Sequence, residues 1–357
     1  MRSVYYFIYF CSFSSVRGFE RVCCNFKRFQ AKKCKAPPHL DATGRMRDEH
    51  PGRVRADDGA LLSYNVRVPP DTTTRVRGVC LFVNGLSNAC FQLEPLADDA
   101  CARGGRVVVT YDMRGHGMSE DPNDYDDVTA ASFARDAWTV VDAARRALSA
   151  SADVDADADV TVVTYSFGTR VGLEMIRQRP DAVTCFVSIL GSPNRILSGL
   201  MPHAAARCVV WASRRLGVRA STAVVGASLR CASTFPYLSH VIGRATGYLK
   251  STYGDFARPF FKSLNRLDAE TWVRCVWDGH ETGALDVLRT LKSRGVYVGI
   301  IAGDKDFAAP LRDMREWAAW ANYYVMLPNC AHDGLRSHTS EILSLAREIL
   351  AGAEKRK

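Results

Sequence analysis

Short apolar runs alternate with amphipathic stretches along most of the chain. Residues 78–83 and 107–111 are apolar almost throughout, a pattern typical of strands buried on both faces of a sheet. Residues 132–150 instead carry apolar side chains at helical spacing, and Ser132 is placed to cap that helix. Strands that alternate with helices predict an α/β fold with a mostly parallel, twisted sheet flanked by helices.

The same patterns predict the remaining elements. Residues 53–56 and 61–68, separated by Asp57-Asp58-Gly59, predict a β-hairpin. Residues 152–159 alternate Ala or Val with Asp, and this acidity predicts a solvated loop; Ca²⁺ loops need a glycine and a terminal Glu. Further strands are predicted at residues 161–164, 184–190, 296–302 and 323–327, and further helices at 92–103, 170–178, 284–293, 312–321 and 340–350.

Between Gly191 and about Gly283 the alternation gives way to a mostly helical pattern that is rich in aromatic residues. The strand–helix pattern then resumes, so this segment is better explained as an insertion than as a second domain. We therefore expect a domain at residues 51–352 with a helical cap at about 193–282.

The charge of the chain is unevenly distributed. The net charge is +9, and residues 1–50 hold ten Lys or Arg against four Asp or Glu. The other 307 residues hold 37 against 34, so the basicity is assigned to the leader and no nucleic-acid partner is predicted. No apolar run approaches the roughly 18–20 residues that span a bilayer.

Residues 1–50 differ from the rest of the chain. An apolar run at residues 4–13 precedes a basic, acid-poor stretch at 17–35. A transit peptide, an artefactual extension before a start at Met46, and a secretory signal all fit this region. The charge follows the apolar run, which favours the first two and hence a cytoplasmic or organellar location over secretion. The twelve cysteines show no C-x-x-C spacing, which suits a reducing compartment and predicts no zinc site.

Candidate chemistry lies where predicted strands end. Ser166 follows the strand at residues 161–164 and precedes a helix, as in a nucleophile elbow, where a strained turn exposes the serine hydroxyl. A helix N-cap is the alternative for a serine at such a turn. Asp306 follows the predicted strand at 296–302, and His332 follows that at 323–327.

Acyl transfer needs a serine, an imidazole that takes its proton and an acid that orients the imidazole. Ser166, Asp306 and His332 occur in the α/β-hydrolase order. Asp304 is a rival acid, and His338 is a rival base that falls at the start of the last helix.

From about Gly52 to Leu350 the sequence resembles the α/β-hydrolase superfamily, especially its capped esterase and lipase-like members. Residues 111–120 (YDMRGHGMSE) are close to the Y-D-x-R-G-H-G-x-S turn of that superfamily. The resemblance implies the α/β-hydrolase fold, an architectural role for His116, and an oxyanion hole formed by the backbone N–H groups of Leu86 and Phe167. It also matches Gly303-x-x-Asp306 to the acid loop and Asn329-x-x-His332 to the histidine loop.

Two residues depart from the family pattern. Thr164 replaces the first glycine of G-x-S-x-G, where strand and helix pass closely, and Asn84 replaces the histidine of the H-G motif. We expect an active serine hydrolase that cleaves an ester or thioester of a lipophilic acyl substrate, with no cofactor. An acyltransferase with the same triad and a catalytically silent ligand-binding protein remain alternatives. The sequence does not define the oligomeric state.

Overall fold

The computed structural model describes residues 49–69, 76–149, 154–197, 201–254 and 257–356. Residues 1–48, on which the leader prediction rests, lie outside these ranges. The described chain contains a mixed sheet with helices on both faces, which confirms the predicted fold class.

Eight strands form the described sheet, in the spatial order β1-β2-β4-β3-β5-β6-β7-β8. Strands β1 and β2 form the predicted hairpin, and β2 also runs antiparallel to β4; the other neighbours are parallel. The strands are β1 (Glu49–Arg55), β2 (Leu61–Arg67), β3 (Val76–Val83), β4 (Val107–Tyr111), β5 (Val154–Tyr165), β6 (Val183–Ile189), β7 (Tyr297–Gly303) and β8 (Tyr323–Leu327).

The helices fall into two groups. Those beside the sheet are α1 (Glu94–Ala102), α2 (Ala130–Ser149), α3 (Gly168–Gln178), α9 (Leu285–Leu291), α10 (Leu311–Ala318), α11 (Gly334–Ser337) and α12 (Thr339–Glu354). Those of the insertion between β6 and β7 are α4 (His203–Leu216), α5 (Val218–Thr234), α6 (Pro236–Ala245), α7 (Ala257–Ser263) and α8 (Ala269–Glu281). Short 3₁₀ turns occur at Cys90–Gln92 and Leu264–Arg266.

Strand β3 shows why the apolar runs form the centre of the sheet. Val79, Leu81 and Val83 belong to the core on one face, and Cys80 and Phe82 belong to the core on the other. All five are at most 1% exposed. A strand with both faces covered has no position for a polar side chain, and this explains the continuous apolar pattern.

Two local predictions are wrong. Ser132 does not cap α2, because the helix begins at Ala130; Thr129 and Ser132 instead exchange side-chain to backbone hydrogen bonds of 3.1 Å, as in a capping box. The acidic stretch is not a loop where it is described, since residues 154–159 belong to β5, and Val154 and Asp159 pair with β3 on either side of an irregularity in the register. The alternation of Ala or Val with Asp has the period of two that is typical of a strand, and here this pattern predicts the structure better than the acidic composition does.

The strand order reverses around β3, because the chain passes from β3 to β4 on one side and to β5 on the other. Ligands of open parallel sheets bind beyond the carboxyl ends of the strands at such a reversal. The loops that follow β3 and β5 therefore meet at the position where the sequence places Gly85 and Ser166.

Within the described ranges, no helix is both long and apolar enough to cross a membrane. The same residues contain no group of three or more His, Cys, Asp or Glu side chains arranged to hold a metal ion.

Candidate active site

Ser166 occupies a sharp turn between β5 and α3. Its φ angle is +52°, a left-handed conformation that is costly for a residue with a side chain. The turn is tight because α3 begins against the end of β3: a Cβ on Gly168 would lie 2.4 Å from the Val83 carbonyl oxygen. The predicted strained strand-to-helix turn at Ser166 is confirmed.

The structure brings Ser166, His332 and Asp306 together. The Ser166 Oγ lies 2.8 Å from Nε2 of His332. On the other side of the imidazole ring, Nδ1 lies 2.9 Å from Oδ2 and 3.1 Å from Oδ1 of Asp306. A carboxylate accepts hydrogen bonds, so Nδ1 carries the proton and Nε2 of the neutral ring can accept one from the serine hydroxyl.

Backbone contacts between two loops set this geometry. The Lys305 N–H donates to the Cys330 carbonyl at 3.0 Å, and the Asp304 N–H donates to the Leu327 carbonyl at 3.1 Å. A Cβ on Gly303 would lie 2.4 Å from the same Cys330 oxygen, so only glycine permits this approach. The loops after β7 and β8 are thereby joined, and Asp306 reaches His332.

The His332 imidazole is enclosed by aromatic rings. Tyr165 stacks on it at 5.6 Å between ring centroids, and Tyr248 of the insertion lies at 5.6 Å in a tilted orientation. Burial lowers the pKa of His332, but the charge and hydrogen bond of Asp306, together with the charge of Asp333, raise it by more, so this pKa lies above its ordinary value. The ring is therefore a stronger base than a free imidazole.

The rival residues lie elsewhere. Asp304 faces the ammonium group of Lys305 at 3.4 Å and makes no contact with His332 among the described hydrogen bonds. His338 precedes α12, as expected, and its Nδ1 lies 2.9 Å from the hydroxyl of Ser337. The geometry thus favours Asp306 over Asp304, and His332 over His338.

Leu86 and Phe167 lie in the loop after β3 and in the turn after Ser166. A Cβ on Gly85 would lie 2.8 Å from the Ser166 Cβ, so the backbone that precedes Leu86 passes directly beside the serine. Neither Leu86 nor Phe167 uses its N–H in a hydrogen bond found within the described part of the chain. Two free N–H groups near a nucleophile are what an oxyanion hole requires.

His116 supports the loop that carries Leu86. Its Nδ1 lies 2.9 Å from the Arg114 carbonyl, which fixes the proton on Nδ1 and leaves Nε2 to accept the Ser87 N–H at 3.4 Å. Burial lowers the pKa of His116 to about 4, so the ring is neutral at pH 7. Asn84, which replaces the family histidine, is buried; in the amide orientation that satisfies both of its side-chain atoms, it donates to the Ala89 carbonyl and accepts the Cys90 N–H, each at 3.2 Å.

Thr164 is accommodated by Gly172, which lies in α3 one helical turn after Gly168. Its Oγ1 donates to the Val187 carbonyl at 2.9 Å and lies 3.0 Å from the hydroxyl of Thr169. Its methyl group occupies the space beside Gly172, where a Cβ would lie 2.8 Å from Thr164 Cγ2. In the family pattern, a glycine at the position of Thr164 leaves room for the close approach of strand and helix. Here the glycine that leaves this room is Gly172.

Three residues near the candidate site had no assigned role in the sequence analysis. Asp333 accepts the backbone N–H groups of Lys250 (3.0 Å) and Ser251 (2.8 Å), which fastens the insertion to the histidine loop. Tyr165 donates from its hydroxyl to the His332 carbonyl at 2.5 Å, and Tyr248 covers the imidazole. Only the aromatic richness of the insertion gave a signal for Tyr248.

A mostly parallel sheet whose strand ends carry a serine at a strained turn, a buried histidine and an acid has the architecture of the α/β-hydrolase fold. Residues 80–344 match the model of the alpha/beta hydrolase family. The chain belongs to that family. No curated protein sequence matches it significantly.

Solved structures show the same fold at low identity. A hydrolase from Pseudomonas aeruginosa PA01 is 16% identical, with a TM-score of 0.61 over 85% of this chain and 99% of that one. An esterase from Exiguobacterium antarcticum is 12% identical, with a TM-score of 0.60 over 85% and 98%. An epoxide hydrolase from Vigna radiata is 16% identical, with a TM-score of 0.59 over 85% and 99%.

Proposed function

We propose that this chain is a serine hydrolase that cleaves a carboxylic ester or thioester of a lipophilic acyl substrate. The observation that carries the proposal is the continuous hydrogen-bond path from Ser166 Oγ through His332 to Asp306, with links of 2.8 and 2.9 Å. The path begins at a strained turn beside the N–H groups of Leu86 and Phe167, which make no hydrogen bond within the described ranges; a nucleophile, a base and two such donors are the parts that acyl transfer requires.

In the proposed reaction, Ser166 Oγ attacks the acyl carbonyl carbon while its proton passes to His332 Nε2. Asp306 accepts the Nδ1–H and stabilises the imidazolium. The N–H groups of Leu86 and Phe167 bind the oxyanion. The imidazolium then gives its proton to the departing alkoxide or thiolate, which leaves an acyl-enzyme on Ser166. A water molecule then loses a proton to His332 and attacks the acyl carbon; as the bond from that carbon to Ser166 Oγ breaks, the imidazolium returns its proton to Oγ, which releases the acid and restores the free serine.

The surroundings of Leu86 support an apolar substrate. Leu86 and Trp272 are partly buried and pack against a cluster that contains Leu197 and Met201. The Trp272 Nε1–H also donates to the Ser87 hydroxyl at 3.0 Å, so a helix of the insertion lies directly over the proposed oxyanion loop. An acyl chain fits such a wall better than a sugar or a peptide.

The nucleophile position distinguishes this proposal from epoxide opening. Epoxide-opening members of the superfamily resemble this chain in fold but use an aspartate nucleophile, and Ser166 stands at that turn here. A hydroxyl needs the neighbouring base, and His332 Nε2 is placed to serve it.

A fluorophosphonate probe tests the proposal because it labels only an activated serine. We expect one labelled site at Ser166, with labelling lost in Ser166→Ala and in His332→Ala. The matched control is Ser337→Ala, which removes a serine that is also hydrogen-bonded to a histidine but does not follow a strand. Labelling of that variant should equal the wild type.

The outcomes separate the alternatives. A folded protein that the probe does not label would be the catalytically silent, ligand-binding form of the fold. If labelling occurs, product analysis with and without an added alcohol distinguishes hydrolysis from acyl transfer, since both use the same acyl-enzyme. A screen of acyl esters and thioesters on fragment 46–357 would then identify the acyl group.

A further inference from the structure

The first part of the insertion, residues 201–254, is strongly cationic within a domain that is nearly neutral overall. Residues 201–254 contain seven Lys or Arg and no Asp or Glu. Residues 51–357 contain 37 basic and 34 acidic side chains, so the domain without this segment holds 30 against 34. All seven basic residues are exposed: Arg207, Arg214, Arg215, Arg219, Arg230, Arg244 and Lys250. The nearly neutral total charge of the domain conceals this uneven distribution of basic and acidic residues.

Helix α6 presents apolar side chains to solvent. Tyr237, Leu238 and Val241 are 64%, 48% and 43% exposed, and Phe235, directly before the helix, is 54% exposed. Their spacing of three and four residues places the helical members on one face. An exposed face of this composition marks an interaction site, because an ordinary surface helix turns polar residues outward.

The opposite face of α6 packs on the protein. His240 is 3% exposed, and its Nε2 lies 3.1 Å from the Ser251 carbonyl. A Cβ on Gly243 would lie 2.6 Å from the Leu249 side chain, so the helix sits closely on the segment that follows it. Because these contacts fix the packed face of α6 against the protein, the apolar face is directed to solvent.

The segment after α6 leads to the candidate active site. Tyr248 is 38% exposed, and its ring lies 5.4 Å from Phe307 and 5.6 Å from His332, measured between ring centroids. Lys250 and Ser251, which follow, are bound by Asp333. Tyr248, whose ring covers His332, therefore follows the α6 face closely in the sequence.

We propose that the apolar face of α6, defined by Phe235, Tyr237, Leu238 and Val241, docks on an anionic lipid surface. The exposed apolar side chains enter the boundary between head groups and acyl chains, while Arg244 of the same helix and Lys250 just after it bind the lipid charge. The docking is independent of the chemistry proposed for Ser166.

The charge distribution favours lipid over two other partners. A second copy of the chain would bring two surfaces without acids against each other, which is repulsive. The phosphates of a nucleic acid would neutralise the basic side chains. Exposed Leu238 and Val241 would have no role in such binding, because nucleic acids are bound through phosphate contacts and aromatic stacking. An anionic lipid surface alone complements both the charge and the aliphatic side chains.

Sedimentation with vesicles tests the proposal on the full-length chain. We expect binding to vesicles of phosphatidylcholine and phosphatidylserine at about 3:1, and much weaker binding to phosphatidylcholine alone. Raising the salt concentration should weaken the binding, because it screens the arginines. The variant Leu238→Ser/Val241→Ser should bind the mixed vesicles about tenfold or more weakly, since two apolar side chains no longer insert.

Leu216→Ser is the matched control. Leu216 is 70% exposed but lies at the end of α4, outside the α6 face, so this variant should bind like the wild type. The variants and the control all retain residues 1–50, so a contribution from that net charge of +6 cancels in the comparison. If the double variant does not fold, the single variants Leu238→Ser and Val241→Ser are measured instead, and each should bind the mixed vesicles more weakly than the wild type.

Three results would overturn the proposal. The first is the absence of vesicle binding by the wild type, and the second is equal binding by wild type and the α6 variants. The third is a wild-type dimer that the α6 variant converts to a monomer, which would make the face an interface between copies. Loss of vesicle binding in an α6 variant that still reacts with the fluorophosphonate probe would support docking independently of the catalytic proposal.

Discussion

The carboxylate of Asp306 is oriented by bonds that do not involve His332. Its Oδ1 accepts the backbone N–H groups of Ala308 and Ala309 at 2.9 and 3.0 Å, and the residue is 3% exposed. The other oxygen is thereby directed at His332 Nδ1. The Asp304 carboxylate accepts no backbone N–H among the hydrogen bonds of the described residues and lies against Lys305.

This difference predicts the effect of exchanging each acid for its amide. Asp306→Asn should lower kcat by on the order of 10³–10⁴-fold, because an amide does not hold the imidazole in the required tautomer. Asp304→Asn should stay within about threefold of the wild type. Steady-state ester hydrolysis measures both variants. A damaging Asp304→Asn beside a near-normal Asp306→Asn would show that the acid is assigned wrongly.

The raised pKa of His332 predicts the pH dependence of the reaction. Only the neutral ring can take the serine proton, so kcat/KM should rise with pH through the pKa of His332. Since Asp306 raises that pKa, the midpoint of the acidic limb should lie above 6.5. Asp306→Asn removes the negative charge and should move the midpoint to lower pH. A wild-type midpoint below 6.5, from a pH–rate profile, would contradict this.

Thr164 and Gly172 should be energetically coupled, because the Thr164 methyl fills the space beside the glycine. Thr164→Gly removes the hydrogen bonds of the hydroxyl and a packed methyl, at a cost in stability of about 1–3 kcal/mol. Gly172→Ala places a Cβ against Thr164 and Phe186 and should cost about 1–3 kcal/mol. The double variant should recover about 0.5–2 kcal/mol relative to the sum.

Denaturant unfolding of the four proteins measures this coupling. Pairing Thr164→Gly with Gly226→Ala, a glycine in α5 of the insertion, is the control and should be additive. Turnover per folded molecule should change little in Thr164→Gly, because Thr164 contributes no group to the proposed proton path. Additivity for Thr164 and Gly172 would show that the methyl and the glycine do not share one space.

At the scale of elements, a buried carboxylate fastens the insertion to the histidine loop. Asp333 is 5% exposed and receives two backbone N–H groups from residues 250 and 251. Hydrogen bonds from backbone N–H groups to a carboxylate are strong, so this contact holds Tyr248 over His332.

Asp333→Asn should loosen that contact, because the amide presents its own N–H group to one of the donors. We expect faster hydrogen exchange at residues 248–251, a raised KM with a smaller change in kcat, and a loss of about 1–3 kcal/mol in stability. Asp286→Asn, an exposed acid in α9 that pairs with Arg177, is the control and should change none of these. Unchanged exchange at residues 248–251 would refute the role of Asp333.

The elements differ in how far the sequence could predict them. Strands β4 and β8 were predicted at their observed bounds because a short apolar run between turns allows few other structures. The start of β5 was missed because its side chains are acidic, although its backbone pairs with β3. The cap of α2 was misplaced because Thr129 and Ser132 can both cap, and only their mutual hydrogen bonds show which precedes the helix.

The candidate site was predictable only as far as it depends on residue type and order. Ser166, Asp306 and His332 each follow a strand, and parallel strands bring such residues to one edge. The contact of Asp333 with Lys250 and Ser251 spans 83 and 82 residues and uses backbone N–H groups, which every non-proline residue possesses. No side-chain pattern signals that kind of contact.

At the scale of the whole molecule, the described sheet starts at Glu49, close to Met46. We predict that fragment 46–357 folds with the melting temperature and turnover of the full-length chain, since every described strand and helix lies within it. Thermal unfolding and ester hydrolysis compare the two proteins. A melting temperature lower by more than about 4 °C would show that residues 1–45 pack on the domain.

The contact at Asp333 also bears on how such a protein can change its specificity. Because the carboxylate binds main-chain groups, it is indifferent to the side chains at positions 250 and 251, proline excepted. Positions 250 and 251 can therefore diverge in side chain while this contact is kept. At this contact the insertion of a relative would need only the same backbone course, whereas the hydrogen bond from Trp272 to Ser87 depends on a particular side chain of the insertion.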